Sequence, residues 1–193
     1  LSFLKTLISA TRYSKDRVAF GDSEHLSYMQ EKSLFGKTMS FQIHALPHDQ
    51  FDHLFTMSDS ELANERAIRT TVTTSPGYPC RVSLSDANIG ETVILVNFEH
   101  QTADSPYRAA HAIFVRENIK QAKPEIDVVP KLFDSRLISI RAFDDKHHIV
   151  QADVFDGSHL KESIQTIFQD TKIEYLHLHN AKPGCYLARV TRT

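Results

Sequence analysis

Cysteine is scarce in this chain: Cys80 and Cys185 are the only two in 193 residues, and no CxxC pair is present. That leaves a thioredoxin-like redox motif or a zinc ribbon with nothing to stand on. Two cysteines so far apart fit a reducing compartment, while still allowing a single bridge. Long apolar runs are missing as well, and none approaches the roughly 18 residues that a membrane-spanning helix needs. Neither sign of charge dominates, with a net charge of -2 and a pI near 6.6. No basic block interleaves with aromatics, so nucleic acid is not an expected partner, and neither is a membrane. The chain has no GxxxxGK or GxGxxG phosphate cradle, and Ser105 lacks the flanking glycines of a nucleophile elbow. Internal repeats and low-complexity tracts are absent too.

What remains is ordinary for one globular domain: 41% hydrophobic and 24% charged residues. A chain of this length buries about 70% of its unfolded surface, so a core needs neither disulfide nor metal. Residues 1 to 38 read differently from the rest. Lys5, Arg12 and Lys15, with no acid before Asp16, give the opening a superficial likeness to a targeting segment. Lys5 and Thr6 interrupt its apolar run, and no small-residue cleavage site follows. The expectation is an N-terminal extension over 1–38, outside a single domain at 39–193, with Met39 as the natural start.

From Met39 the periodicities are readable. FQIHAL alternates as a strand, with Phe41, Ile43 and Ala45 on one face. Pro47 suits a helix start, Phe51, Leu54 and Phe55 form a helical stripe, and Ser58 with Glu61 makes a capping box. AIRTTVTT (67–74) is β-branched and reads as a strand, closed by the turn SPGYP. Cys80, Val82 and Leu84 are expected on one face of a further strand, opposite Arg81 and Ser83. A hairpin-like DANIGE then leads to Thr92–Glu99, which is apolar on both faces near its start and so reads as a central, doubly covered strand. Residues 100–108 read as a polar loop, AHAIFVRE as a strand, and 120–132, with two prolines, as a connection. LISIRAF and HIVQADVF look like a hairpin, and Ser158 is expected to cap a helix striped by Leu160, Ile164, Ile167 and Phe168. IEYLHLHN and CYLARVT, joined by AKPG, close the chain as a second hairpin. Most connections are too short for parallel crossovers. The fold class is therefore α+β: a single domain, a mostly antiparallel β-sheet with a few packed helices.

Several phrases are distinctive: MSFQIHALP, PCRVSL, NFEHQTADSPYRAAHAIFVRE and HLHNAKPGCYLARV. In these the chain resembles the bacterial domain-of-unknown-function family 1203, from Met39 to the C-terminus. The resemblance implies a small bacterial, cytoplasmic protein. It brings no activity, substrate or catalytic residue.

Three constellations carry chemistry. His177 and His179 project to one side of a strand, along with Ile173 and Tyr175, and His-x-His on a strand is a metal-site element. A third ligand would have to come from His100, His111, Glu99 or Cys185. The bland alternative is one hydrogen-bonded and one solvated histidine. Cys80 and Cys185 each open a strand after a turn, so they read either as a redox pair beside Arg81 or as two small inert core residues. The loop Glu99, His100, Asp104, Tyr107, Arg108 combines acids, imidazole, phenol and guanidinium on a Pro106-stiffened segment. Arg108 with Arg81 or Arg141 suits a carboxylate or phosphate, and His100 or His111 suits a general base. An ion pair between Arg108 and Asp104 would equally make that loop structural.

Together these place a pocket for a small polar or anionic ligand between the Glu99–Arg108 loop and the Leu178–Cys185 turn, Asn180 included. An enzyme using a metal at His177 and His179, or a thiol, is the first alternative. A non-catalytic interaction module that self-associates through a sheet edge is the second. No cofactor is named by the sequence.

Overall fold

The structure, a computed structural model, describes residues 38–193. The expected N-terminal extension lies, save its last residue, outside the described residues. Ten strands form two five-stranded sheets where the sequence suggested one. Sheet A runs in the order β1 (Phe41–His44), β10 (Tyr186–Arg192), β9 (Tyr175–Asn180), β7 (Leu137–Phe143) and β8 (Ile149–Asp156), antiparallel throughout. Sheet B runs in the order β2 (Ala67–Thr71), β5 (Thr92–Gln101), β6 (Ala109–Arg116), β3 (Pro79–Cys80) and β4 (Ser85–Asp86). Its pairs are antiparallel except β3 with β6. The chain is thus α+β, as its periodicities indicate.

Alternation sets the faces of sheet A. Phe41 and Ile43 of β1, Ala188 and Val190 of β10, Leu176 and Leu178 of β9 and Ile138, Ile140 and Ala142 of β7 fill one core. Helix α2 (Leu160–Ile167) covers that face with Leu160, Ile164 and Ile167, followed by Phe168. Ile173 joins this core from just before β9, so it does not share the histidines' side of the strand as its spacing suggested. The connection at 120–132 is irregular and seals the free edge of β1: Asp127 accepts from Phe41 N and Ser40 Oγ, both at 2.9 Å.

The second core lies on sheet B, where Cys80, Ile94, Val96, Ile113 and Val115 meet Phe51, Leu54 and Leu62. Phe51 and Leu54 come from two 3-10 turns after Pro47, and Leu62 from helix α1 (Asp59–Asn64), which begins with the anticipated Ser58–Glu61 capping box. Val93 packs on the opposite face with Val72 and Ala87, so β5 is covered on both sides near its start. Tyr186 of sheet A belongs to this sheet-B core, its ring 6.3 Å from that of Phe98. The two sheets therefore share a boundary at the end of β5.

One element differs from its sequence reading. Pro79–Leu84 is not a continuous strand: β3 stops at Cys80 and a turn follows, with Leu84 at φ 47°. Arg81, expected to face away from Cys80, is instead almost fully buried, at 1% exposure. Residues 86–91 likewise form no hairpin between neighbours, because β4 pairs with β3 while β5 lies between β2 and β6.

Candidate metal centre

On β9 the period of two sends Leu176 and Leu178 into the core and leaves Tyr175, His177 and His179 on the opposite face of sheet A. Cross-strand partners point the same way, so register identifies their neighbours. His177 stands opposite Arg141 on β7 and Arg189 on β10. His179 stands opposite Ser139 and Tyr186. A bulge in β10 between Tyr186 and Ala188 sets this pairing.

Sheet B supplies the third histidine. β5 continues through His100 to Gln101, so His100 is a strand residue and not part of the expected loop. A bulge between Glu99 and Gln101 interrupts the ladder with β6 at this point. The His100 ring lies 5.0 Å from that of His179 and 5.7 Å from that of His177. It stacks on Tyr186 at 5.1 Å and an interplanar angle of 5°. Next door, Gln101 donates to the Tyr175 hydroxyl at 2.7 Å and locks the strand end onto sheet A.

One ring nitrogen from each of His100, His177 and His179 lies within 4.8 Å of the other two. The Gly184 carbonyl accepts from His179 Nδ1 at 2.9 Å, which puts the proton on Nδ1 and a lone pair on Nε2. That Nε2, together with His100 Nδ1 and His177 Nδ1, is buried without a hydrogen-bond partner. Buried polar atoms are rarely left so, because each costs about 1–3 kcal/mol unless something satisfies it. Here there are three, one on each of the clustered histidines.

Their electrostatics suit metal ligation. Burial, then the neighbouring histidines and arginines, pushes His177 down to about 2. Burial, then Arg141, pushes His179 down to about 3. Burial followed by Arg141 and His111 takes His100 to about 4. All three imidazoles are neutral near pH 7, the form that donates a lone pair to a metal. Three neutral nitrogens from two facing strands resemble the donor set of an open zinc site, where nitrogens about 2 Å from the ion stand roughly 3.3 Å apart.

Other sequence candidates are placed differently. Arg108 pairs with Glu99, Nε to Oε1 at 2.5 Å, on the exposed surface, so its partner is Glu99 and not Asp104. Arg81 donates to the carbonyls of Tyr186, at 2.7 Å, and Pro79, so Arg81 and Arg108 form no anion clamp. Asp104 is exposed. Tyr107 leans toward Phe143 and His148, and Ser105 donates to the His147 carbonyl at 3.3 Å. The loop tip thus turns to the β7–β8 connection, and only its first residues reach the last hairpin. His111 lies beside the cluster, with Nδ1 3.3 Å from the Ala112 carbonyl. Cys185 and Cys80 are buried free thiols, and Asn180 Nδ2 donates to Cys185 Sγ at 3.2 Å. A surface cleft of about 450 Å³ lies elsewhere, among His48, Asp52, Glu117 and Lys120.

A family model described as "Protein of unknown function (DUF1203)" matches residues 77–192. The chain belongs to this family. The DUF1203 span begins later than the Met39 suggested by the phrases above, and it includes all three histidines and Arg141. No curated protein and no solved structure matches the chain. Among the described residues no helix is long and apolar enough to cross a membrane.

Sequence reasoning named His177 and His179 as a pair and His100 as one of four candidate third ligands. It placed Tyr175 beside the two histidines but missed Tyr186 and Arg189. A hairpin register drawn through AKPG finds Tyr186 opposite His179, which is the signal that was available.

Proposed function

We propose that the protein binds one divalent transition-metal ion through His100, His177 and His179, leaving a coordination position for a small polar ligand. The observation that carries this is a cluster of three histidines from two different sheets, each with a buried ring nitrogen that has no hydrogen-bond partner. Imidazole donors suit zinc, iron, copper or nickel. Structural zinc sites are usually closed by four protein ligands, whereas three leave room for water or substrate. A metal held this way polarises a bound oxygen or lowers the pKa of bound water, which is the route from binding to catalysis. This reading joins the expected polar-ligand pocket with the metal alternative and moves the pocket from the loop rim to the face of sheet A. The free thiols at Cys80 and Cys185 suit a reducing, cytoplasmic setting.

Metal analysis of protein purified without a polyhistidine tag provides the test. The expected result is close to one equivalent of metal after loading, falling at least about tenfold in affinity in His177→Ala or His179→Ala. Loading that stays substoichiometric with zinc, iron, nickel, copper and manganese, or that is indifferent to both substitutions, sinks the proposal.

A further inference from the structure

The surroundings of the three histidines specify what kind of ligand would complete the site. A single cross-strand row runs His44, Arg189, His177, Arg141, Ala152 across β1, β10, β9, β7 and β8. It contains two guanidinium-bearing positions flanking a histidine, and no acid. Glu99 of β5, the acid next to His100 in the chain, is already paired with Arg108.

Arg141 is the unusual member. Each of the other arginines withdrawn from solvent has found oxygen acceptors: Arg69 and Arg192 bind main-chain carbonyls, Arg81 does so in the core, Arg116 pairs with Glu91, and Arg136 pairs with Asp86. Arg141 is partly buried, yet makes no hydrogen bond or ion pair among the described residues. Its charge nevertheless reaches all three imidazoles, since it acts on His100, His177 and His179 alike. Among the described residues Arg189 also has no anionic partner, and its guanidinium lies over the Tyr175 ring at 4.1 Å. A partly desolvated guanidinium without acceptors is costly to keep unless something else supplies the oxygens. A divalent ion on three neutral imidazoles would add further positive charge beside it, and that cross-strand row carries no acid to offset it.

We infer that Arg141, seconded by Arg189, clamps an oxyanion, the carboxylate or phosphate of the site's ligand, next to the metal held by His100, His177 and His179. The inference rests on the metal reading for the position of the ion, but the clamp itself is built from Arg141 with Arg189 in support. The guanidinium fork offers two parallel N–H donors that match two oxygens of either group, while another oxygen is free to face the metal. Lysine could not reproduce that fork.

Cobalt(II) provides a spectroscopic probe, with inorganic phosphate and acetate as the anions. The folded wild-type protein is loaded with Co2+ and titrated with each anion while the visible bands of the ion are followed. A saturable spectral change is expected with at least one anion. In Arg141→Gln that anion should bind about tenfold or more weakly, while Co2+ itself binds no less tightly. Arg141→Lys should recover little of the loss. Anion binding that is equal in wild type and Arg141→Gln overturns the clamp, as does Co2+-loaded protein blind to both anions. Should wild type take up no Co2+, the metal reading fails alone. The clamp is then judged on metal-free protein, where stabilisation by phosphate or acetate that is lost in Arg141→Gln upholds it, and no stabilisation overturns it.

Discussion

At the residue scale, single contacts decide chemistry. The Gly184 carbonyl fixes the tautomer of His179, and so turns a histidine into a donor with one available nitrogen. Arg81 shows the opposite use of a polar group. It is buried with its Nε on the Tyr186 carbonyl, beside both thiols, and serves to hold β3 against β10 rather than to meet a ligand. Glu91 supplies a pH-dependent contact. Its carboxylate takes Arg116 Nη2 at 2.6 Å and Asn88 Nδ2 at 2.8 Å, and these hydrogen bonds, Arg116 first, hold its pKa down to about 2 from an ordinary 4.5. A depressed carboxylate contributes stability that is fully present above its unfolded pKa and is lost as pH falls through its folded one. The window is therefore about pH 4.5 down to about 2. Glu91→Gln should unfold at lower urea than wild type at pH 6, and the two midpoints should converge toward pH 2. Parallel curves across that range would show that the ion pair is screened and carries no stability.

At the scale of elements, what the sequence makes legible follows from how local each signal is. β1, β7 and β9 alternate cleanly, β5 shows as a continuous apolar run, and the structure has all four where the sequence puts them. The capping box at Ser58 is a four-residue signal and was readable for the same reason. Bulges are not local in this sense. An unbroken β9–β10 register starting from His179 and Tyr186 sets Ala188 opposite His177, and the bulge replaces it with Arg189. That one-residue shift brings a second guanidinium onto the histidine face, and nothing in CYLARVT announces it. Similarly, PCRVSL has the alternation of a strand, but Leu84 takes a positive φ and the run becomes a turn that buries Arg81. α2 begins one residue later than a Ser158 cap implies. Asp156 accepts from Ser158 N and caps a 3-10 turn at Gly157–His159, and α2 follows from Leu160. Gly157 is demanded there by a close approach: a Cβ would sit 1.8 Å from the Phe133 carbonyl oxygen. The obstacle is main chain, tied by Gly157 N to the Arg136 carbonyl at 2.8 Å, so it cannot swing aside. Gly157→Ala should cost about 3 kcal/mol or more, read as a lowered urea midpoint with unchanged slope. An unaltered midpoint would mean that the 133–136 turn yields freely.

At the scale of the whole molecule, the candidate site is a junction between the two sheets. His177 and His179 belong to a sheet whose other face is closed by α2, and His100 to one whose core is closed by α1 and the 3-10 turns. Apart from Tyr186 in the sheet-B core and the Gln101–Tyr175 hydrogen bond, that junction is polar, and apolar periodicity therefore says nothing about it. This is why the sequence offers His100 only as one of several possible third ligands beside His177 and His179: pairing between sheets depends on contacts far apart in sequence. A metal ion at this place would join the sheets, and a ligand that binds only the folded chain stabilises it by mass action. With free Zn2+ at one hundred times its dissociation constant the gain is about 2.7 kcal/mol. For a domain of this size that corresponds to a melting point raised by roughly 5–10 °C. EDTA should reverse the rise. His100→Ala removes the only donor from sheet B without touching β9, so it should abolish most of the rise while leaving the metal-free melting point little changed. A rise of equal size in His100→Ala would mean that the ion sits on β9 alone and does not bridge the sheets. Equal melting points with and without metal in the wild type would remove the joint altogether.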